Sequence, residues 1–85
     1  MTREDRPPVI VYVSSSCQRC EQVRELLASA GVAFVTRVVD EDDTAYDELL
    51  ALGFRAVPVT CIGDRAIRGY DPDTLHEALS EAGRR

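Results

Sequence analysis

Val9-Ile10-Val11-Tyr12-Val13-Ser14-Ser15-Ser16-Cys17-Gln18-Arg19-Cys20 is the stretch that decides the fold. Its first five residues are β-branched or aromatic and do not alternate with polar ones, as in a strand covered on both faces within a parallel sheet. Three serines follow and supply loop and N-cap chemistry. Val23, Leu26, Leu27 and Ala30 then fall at i, i+3, i+4 and i+7, so a helix is predicted from near Cys17 to just before Gly31. Two thiols therefore stand where a central strand hands over to a helix.

Working outward, Gly31 suits the left-handed position after a helix, and Ala33 to Val39 reads as a second strand. The helix between them lets the two strands lie parallel, in a right-handed βαβ unit. Asp40-Glu41-Asp42-Asp43-Thr44 favours a second helix start, by side-chain capping and by opposing the positive end of the helix dipole. Leu49, Leu50 and Leu52 give that helix its apolar side and Gly53 closes it. Val57 to Ile62 and Ala66 to Gly69 flank Gly63-Asp64-Arg65, where Gly-Asp is a hairpin signal for antiparallel strands. Asp71-Pro72 opens a last helix, with Leu75, Ala78, Leu79 and Ala82 as its core stripe. The predicted order is β-α-β-α-β-β-α, an α/β domain over residues 9–82 with a flexible segment at 1–8 and a tail at 83–85.

Eighty-five residues leave room for one core, and ten arginines against fifteen carboxylates give a net charge of -5. That charge repels phosphate backbones and argues against nucleic-acid partners; by itself it would favour a docking partner with a neutral or basic rim. Val9 to Val13 is too short for the apolar core of a signal peptide, and no run reaches the ~20 apolar residues of a membrane span. A monomer in a reducing cytoplasm is expected, where a close cysteine pair is catalytic or metal-binding and not a structural staple.

Cys17 and Cys20, three apart at a helix start, lie on one face within the distance a disulfide spans. Cys17 at the N-terminus meets unpaired N–H groups and the dipole, which favour a thiolate, and Arg19 adds a cation that tunes its pKa. Cys20, one turn inside, fits the resolving thiol. The alternative is a metal or iron-sulfur module using Cys17, but only Cys61 and His76 remain as further soft ligands and neither forms a second pair. Pro58 interrupts an apparent strand: it is either an edge proline or a cis Val57-Pro58 bond that frees the Val57 backbone to pair with an extended substrate. Cys61 reads as a small buried hydrophobe, His76 as an exposed surface residue, and Asp40 to Asp43 as a solvated cap.

Tyr12, the Cys17-Cys20 pair, Val57-Pro58 and Gly69 together resemble the glutaredoxin pattern. Gly53-Phe54-Arg55 before the proline and Gly69-Tyr70-Asp71-Pro72-Asp73 after the hairpin are similar to its NrdH-redoxin branch. The resemblance, from Val9 to about Ala82, implies a thioredoxin-like fold with sheet order 2-1-3-4, the first and third helices on one face and the second on the other. It implies a thiol-disulfide oxidoreductase with no bound cofactor that acts on protein disulfides. Cys17 would be the nucleophile, Cys20 the resolving thiol and Pro58 the cis proline. Val57 would pair with substrate, and Gly69, Tyr70 and Asp71 would border the cleft. Glutathione or an NADPH-dependent reductase would supply electrons. Two departures, Ser14 in place of a lysine and Gln18-Arg19 between the cysteines, favour thioredoxin reductase over glutathione.

Overall fold

A computed structural model describes residues 9–83; the expected flexible segment at 1–8 and the tail residues 84–85 lie outside the described residues. Seven elements follow in the predicted order: β1 (Val9–Val13), α1 (Gln18–Ser29), β2 (Val35–Val38), α2 (Asp43–Ala51), β3 (Val59–Ile62), β4 (Arg65–Arg68) and α3 (Pro72–Gly83). They form one mixed sheet of order β2-β1-β3-β4. β1 pairs parallel with β2 and antiparallel with β3, and β3 turns back on β4 through Gly63-Asp64.

The pleat of β1 divides the core. Val9, Val11 and Val13 pack with Val23 and Leu27 of α1 and with Leu75 and Ala78 of α3. Tyr12 faces the other way, with Leu49 of α2 and Val59 of β3. Alternate residues of one strand thus feed two apolar layers, which is why the run shows no polar alternation. The helix placement expected from the family resemblance holds, with α1 and α3 on one face and α2 on the other.

Local signals also account for the element ends. Gly31 has φ +75 after α1, a conformation open to glycine at little cost. Asp42 caps α2 by accepting from the Thr44 and Ala45 N–H groups at 3.0 and 3.4 Å. Several boundaries differ from expectation. β2 is shorter than 33–39, and β3 starts at Val59 because Pro58 cannot donate to the ladder. α3 runs to Gly83, one residue into the expected tail, and the Ala82 side chain lies outside the described residues. The apolar side of α2 is Ala45 with Leu49, while Leu50 and Leu52 are 39% and 44% exposed. A short helix on a sheet buries one stripe at i, i+4, and the flanking leucines rotate away from it.

A polar network anchors α2 to the sheet. Arg37 on β2 donates to both Glu48 carboxylate oxygens at 3.2 and 2.8 Å and lies 3.7 Å from Asp42, while the Tyr12 hydroxyl donates to Glu48 at 3.1 Å. Burial, reinforced by the hydrogen bond to Glu48, pushes the Tyr12 phenol up to about 12.

Candidate functional site

Cys17 and Cys20 are disulfide-bonded, with Cα atoms 5.2 Å apart. Cys17 holds extended backbone angles (φ -120, ψ 114) and is itself the N-cap of α1, its sulfur accepting from the Cys20 N–H at 3.2 Å. The serines expected to cap are instead the loop leading to it. A sulfur in the capping position takes a helix N–H that would otherwise lack a partner, which is the environment that favours a thiolate. The two thiols are unequal: Cys17 is half-buried, whereas Cys20 is 1% exposed within the α1 and α3 layer.

The serine loop is held from the end of the neighbouring strand, β2. Asp40, just after β2, accepts from the Ser15 N–H at 3.1 and 3.2 Å and from the Ser15 hydroxyl at 2.6 Å. Asp40 is therefore a tie on the loop carrying Cys17 and not a solvated cap; nothing in the local spacing of an acidic run distinguishes Asp40 from Asp42, which does cap. The Ser15 side chain, then its backbone N–H, hold the Asp40 carboxyl below the usual carboxylate range. A lowered folded pKa means that the tie stabilises fully above the unfolded value of ~3.9 and is lost as pH falls through the folded one. Asp40→Asn should therefore lower the urea midpoint from neutral pH down to the ordinary carboxylate range, and the gap to wild type should close on further acidification. An equal gap at both ends of the pH series would show that the charge of Asp40 contributes nothing.

The peptide bond Val57-Pro58 is cis, which decides between the two sequence readings of Pro58. Pro58 is buried and Val57 half-buried, packed against both apolar layers. The β1 and β3 ladder begins at Tyr12 opposite Val59, so Val57 lies beyond it. The Gly69 N–H donates to the Pro58 carbonyl at 2.8 Å, bringing the end of β4 beside the proline. Gly69 takes φ +81, which suits glycine at this bend.

An open cleft of about 630 Å3 is lined by Arg19, Arg68, Gly69, Tyr70, Asp71 and Pro72. The residues expected to border it, Gly69, Tyr70 and Asp71, do so together with Arg19 of the cysteine segment. Asp71 also caps α3, its carboxylate accepting from the Thr74 N–H at 3.3 Å and the Thr74 hydroxyl at 2.8 Å. Arg68 was not a sequence candidate; its pairing opposite Val59, next to Pro58, appears only once β3 and β4 are joined.

Cys61 and His76 stand apart. Cys61 is half-buried on the α2 side of the sheet, opposite the cysteine pair, and burial raises its thiol pKa. His76 is exposed on α3, in a second hollow with Gln22, Glu25 and Tyr70. Among the described residues, no three His, Cys, Asp or Glu side chains gather as a metal site.

A cysteine pair at a helix start and a cis proline before β3, on a 2-1-3-4 sheet, define a dithiol oxidoreductase of the thioredoxin fold. The Glutaredoxin family model matches residues 9–67. The chain belongs to the glutaredoxin family. It is 33% identical over 67 residues to the glutaredoxin-like protein NrdH of Lactococcus lactis, covering 79% of this chain and 93% of that one. It is 36% identical over 74 residues to the gene 56 protein of Mycobacterium phage L5, covering 85% and 72%. The solved structure of the Escherichia coli glutaredoxin-like protein NrdH-redoxin superposes with a TM-score of 0.76 at 28% identity, over 82% of this chain and 92% of that one. The protein is thus a thiol-disulfide oxidoreductase, and its Cys17-Cys20 pair fits the C-x-x-C dithiol motif of that class.

Proposed function

We propose that this redoxin reduces protein disulfides with Cys17 as the attacking thiol, and that thioredoxin reductase recharges it. The observation that carries the reading is the asymmetry of the pair: Cys17 caps the helix within reach of a partner, and Cys20 is enclosed. The Cys17 thiolate attacks a substrate sulfur, the other substrate sulfur leaves as a thiolate and takes a proton, and Cys20 then displaces the bound sulfur. The substrate leaves with two electrons and two protons, and the protein keeps the Cys17-Cys20 disulfide. Arg19, two residues on and exposed, supplies a nearby cation that would favour the thiolate form of reduced Cys17.

Val57, free of the ladder, offers its backbone to an extended substrate strand beside Pro58, with Gly69, Tyr70 and Asp71 as the opposite wall. The protein acts as a monomer in the cytoplasm; among the described residues no helix is long and apolar enough to cross a membrane. No resident cofactor takes part, so electrons reach the pair only by exchange at Cys17.

The donor assignment rests on Ser14, a neutral residue where glutaredoxins carry a lysine, and on the E. coli NrdH-redoxin, whose structure is described as the basis of a thioredoxin-like activity profile. Loss of a charge-assisted bond to a glutathione carboxylate is worth roughly 1.5–3 kcal/mol, or about one to two decades in affinity. NADPH consumption should be rapid with thioredoxin reductase and slow with glutathione and its reductase. Efficient turnover with glutathione and none with thioredoxin reductase would make this a glutathione-dependent glutaredoxin.

A further inference from the structure

The described arginines fall into two groups. Arg24 pairs with Glu21 at 3.2 Å, Arg37 with Glu48 at 2.8 Å and Arg65 with Glu81 at 3.1 Å, all on helix or strand surfaces outside the cleft lining. Arg19, Arg55 and Arg68 are exposed and meet no carboxylate among the described residues. Each belongs to one of the three segments that frame the redox site. Arg19 lies between the cysteines, Arg55 two residues ahead of Val57, and Arg68 at the end of β4, opposite Val59 and next to Gly69. Carboxylates are not scarce, since the chain has fifteen against ten arginines. The one carboxylate lining the cleft, Asp71, has both oxygens engaged by Thr74.

We infer that Arg19 and Arg68 in the cleft lining, with Arg55 on the segment leading to Val57, form a carboxylate-reading rim, and that the disulfides reduced there lie in acidic segments of partner proteins. The inference rests on the reading that Cys17 attacks disulfides at this cleft, and it names the class of substrate. It departs from the expectation drawn from net charge, because a docking segment feels the nearest charges first: beyond a Debye length of ~8 Å the remainder is largely screened. Unpaired guanidinia at a cleft attract carboxylates during encounter and can hold them bidentately once docked.

The test uses cyclic Cys-Gly-Gly-Cys disulfide peptides flanked by aspartate, serine or lysine pairs, mixed with pre-reduced protein so that no donor enters the reaction. At about 0.15 M salt, where that screening length applies, the aspartate peptide should be reduced about tenfold faster than the lysine peptide, the lower end of electrostatic steering. Added salt should erase the ratio. Arg68→Ser and Arg55→Ser should each narrow it severalfold; because it is taken within one variant, general damage to folding or to the thiols cancels. Arg68 is the more telling position, since it is remote in sequence from Cys17 and its loss leaves the cysteine segment unchanged. Equal rates for the aspartate and lysine peptides, or a ratio that Arg68→Ser leaves intact, would overturn the inference while reduction of the serine peptide upheld the exchange reading. A loss on Arg68→Ser confined to glutathione disulfide would assign the rim to the tripeptide's carboxylates and also overturn it. If none of the three peptides were reduced, the exchange reading itself would fall.

Discussion

Cys17→Ser should abolish disulfide reduction, whereas Cys20→Ser should stop the reaction one step later and accumulate a mixed disulfide with the substrate. The contrast follows from placement. Cys17 caps α1 and remains half-exposed, so a partner sulfur can reach it, while Cys20 at 1% exposure meets only a sulfur already bound to Cys17. Intact-mass measurement after mixing with a disulfide peptide distinguishes the two: no adduct for Cys17→Ser, and a stable adduct at Cys17 for Cys20→Ser. Cys61 cannot substitute, because it sits on the α2 side of the sheet with a thiol that burial keeps protonated to higher pH. Full dithiol turnover by Cys17→Ser, or an adduct mapped to Cys61, would reverse the assignment.

The second large effect is on stability. Leu27→Ala should cost about 2–5 kcal/mol, because it removes a fully buried side chain between α1 and the sheet and leaves a cavity that a close-packed core fills poorly. In a domain of this size each kcal/mol moves Tm by roughly 4–8 °C, so melting should fall by about 10 °C or more. Leu50→Ala on α2 is the informative partner: at 39% exposure it should change stability by only about 0.5 kcal/mol or less. The sequence offers no reason to separate these leucines, so similar losses in the two variants would refute the burial assigned to α2. Both should be measured in the oxidised protein, to keep the Cys17-Cys20 link constant.

Features that depend on near neighbours were legible in the chain alone. A β-branched run of five, three serines and a 3.6-residue apolar period place a strand, a loop and a helix in succession, and they put Cys17 and Cys20 one turn apart whatever surrounds them. Gly63-Asp64 turns β3 into β4, and Asp71 with Pro72 starts α3, for equally local reasons of turn and cap geometry. Sheet order and helix sides were legible only through family resemblance, since hydrophobic pattern tells a strand that both faces are covered but not by which helix.

Tertiary structure alone decided the rest. It gave Asp40 the task of tying Ser15 across 25 positions of sequence. It chose Leu49 over Leu50 and Leu52 for the core and set Arg68 beside Pro58. The physical reason is common to all three. Short-range periodicity specifies a backbone conformation through contacts a few residues away, whereas exposure, hydrogen-bond partners and the walls of a cleft are set by segments that meet only after the sheet has assembled.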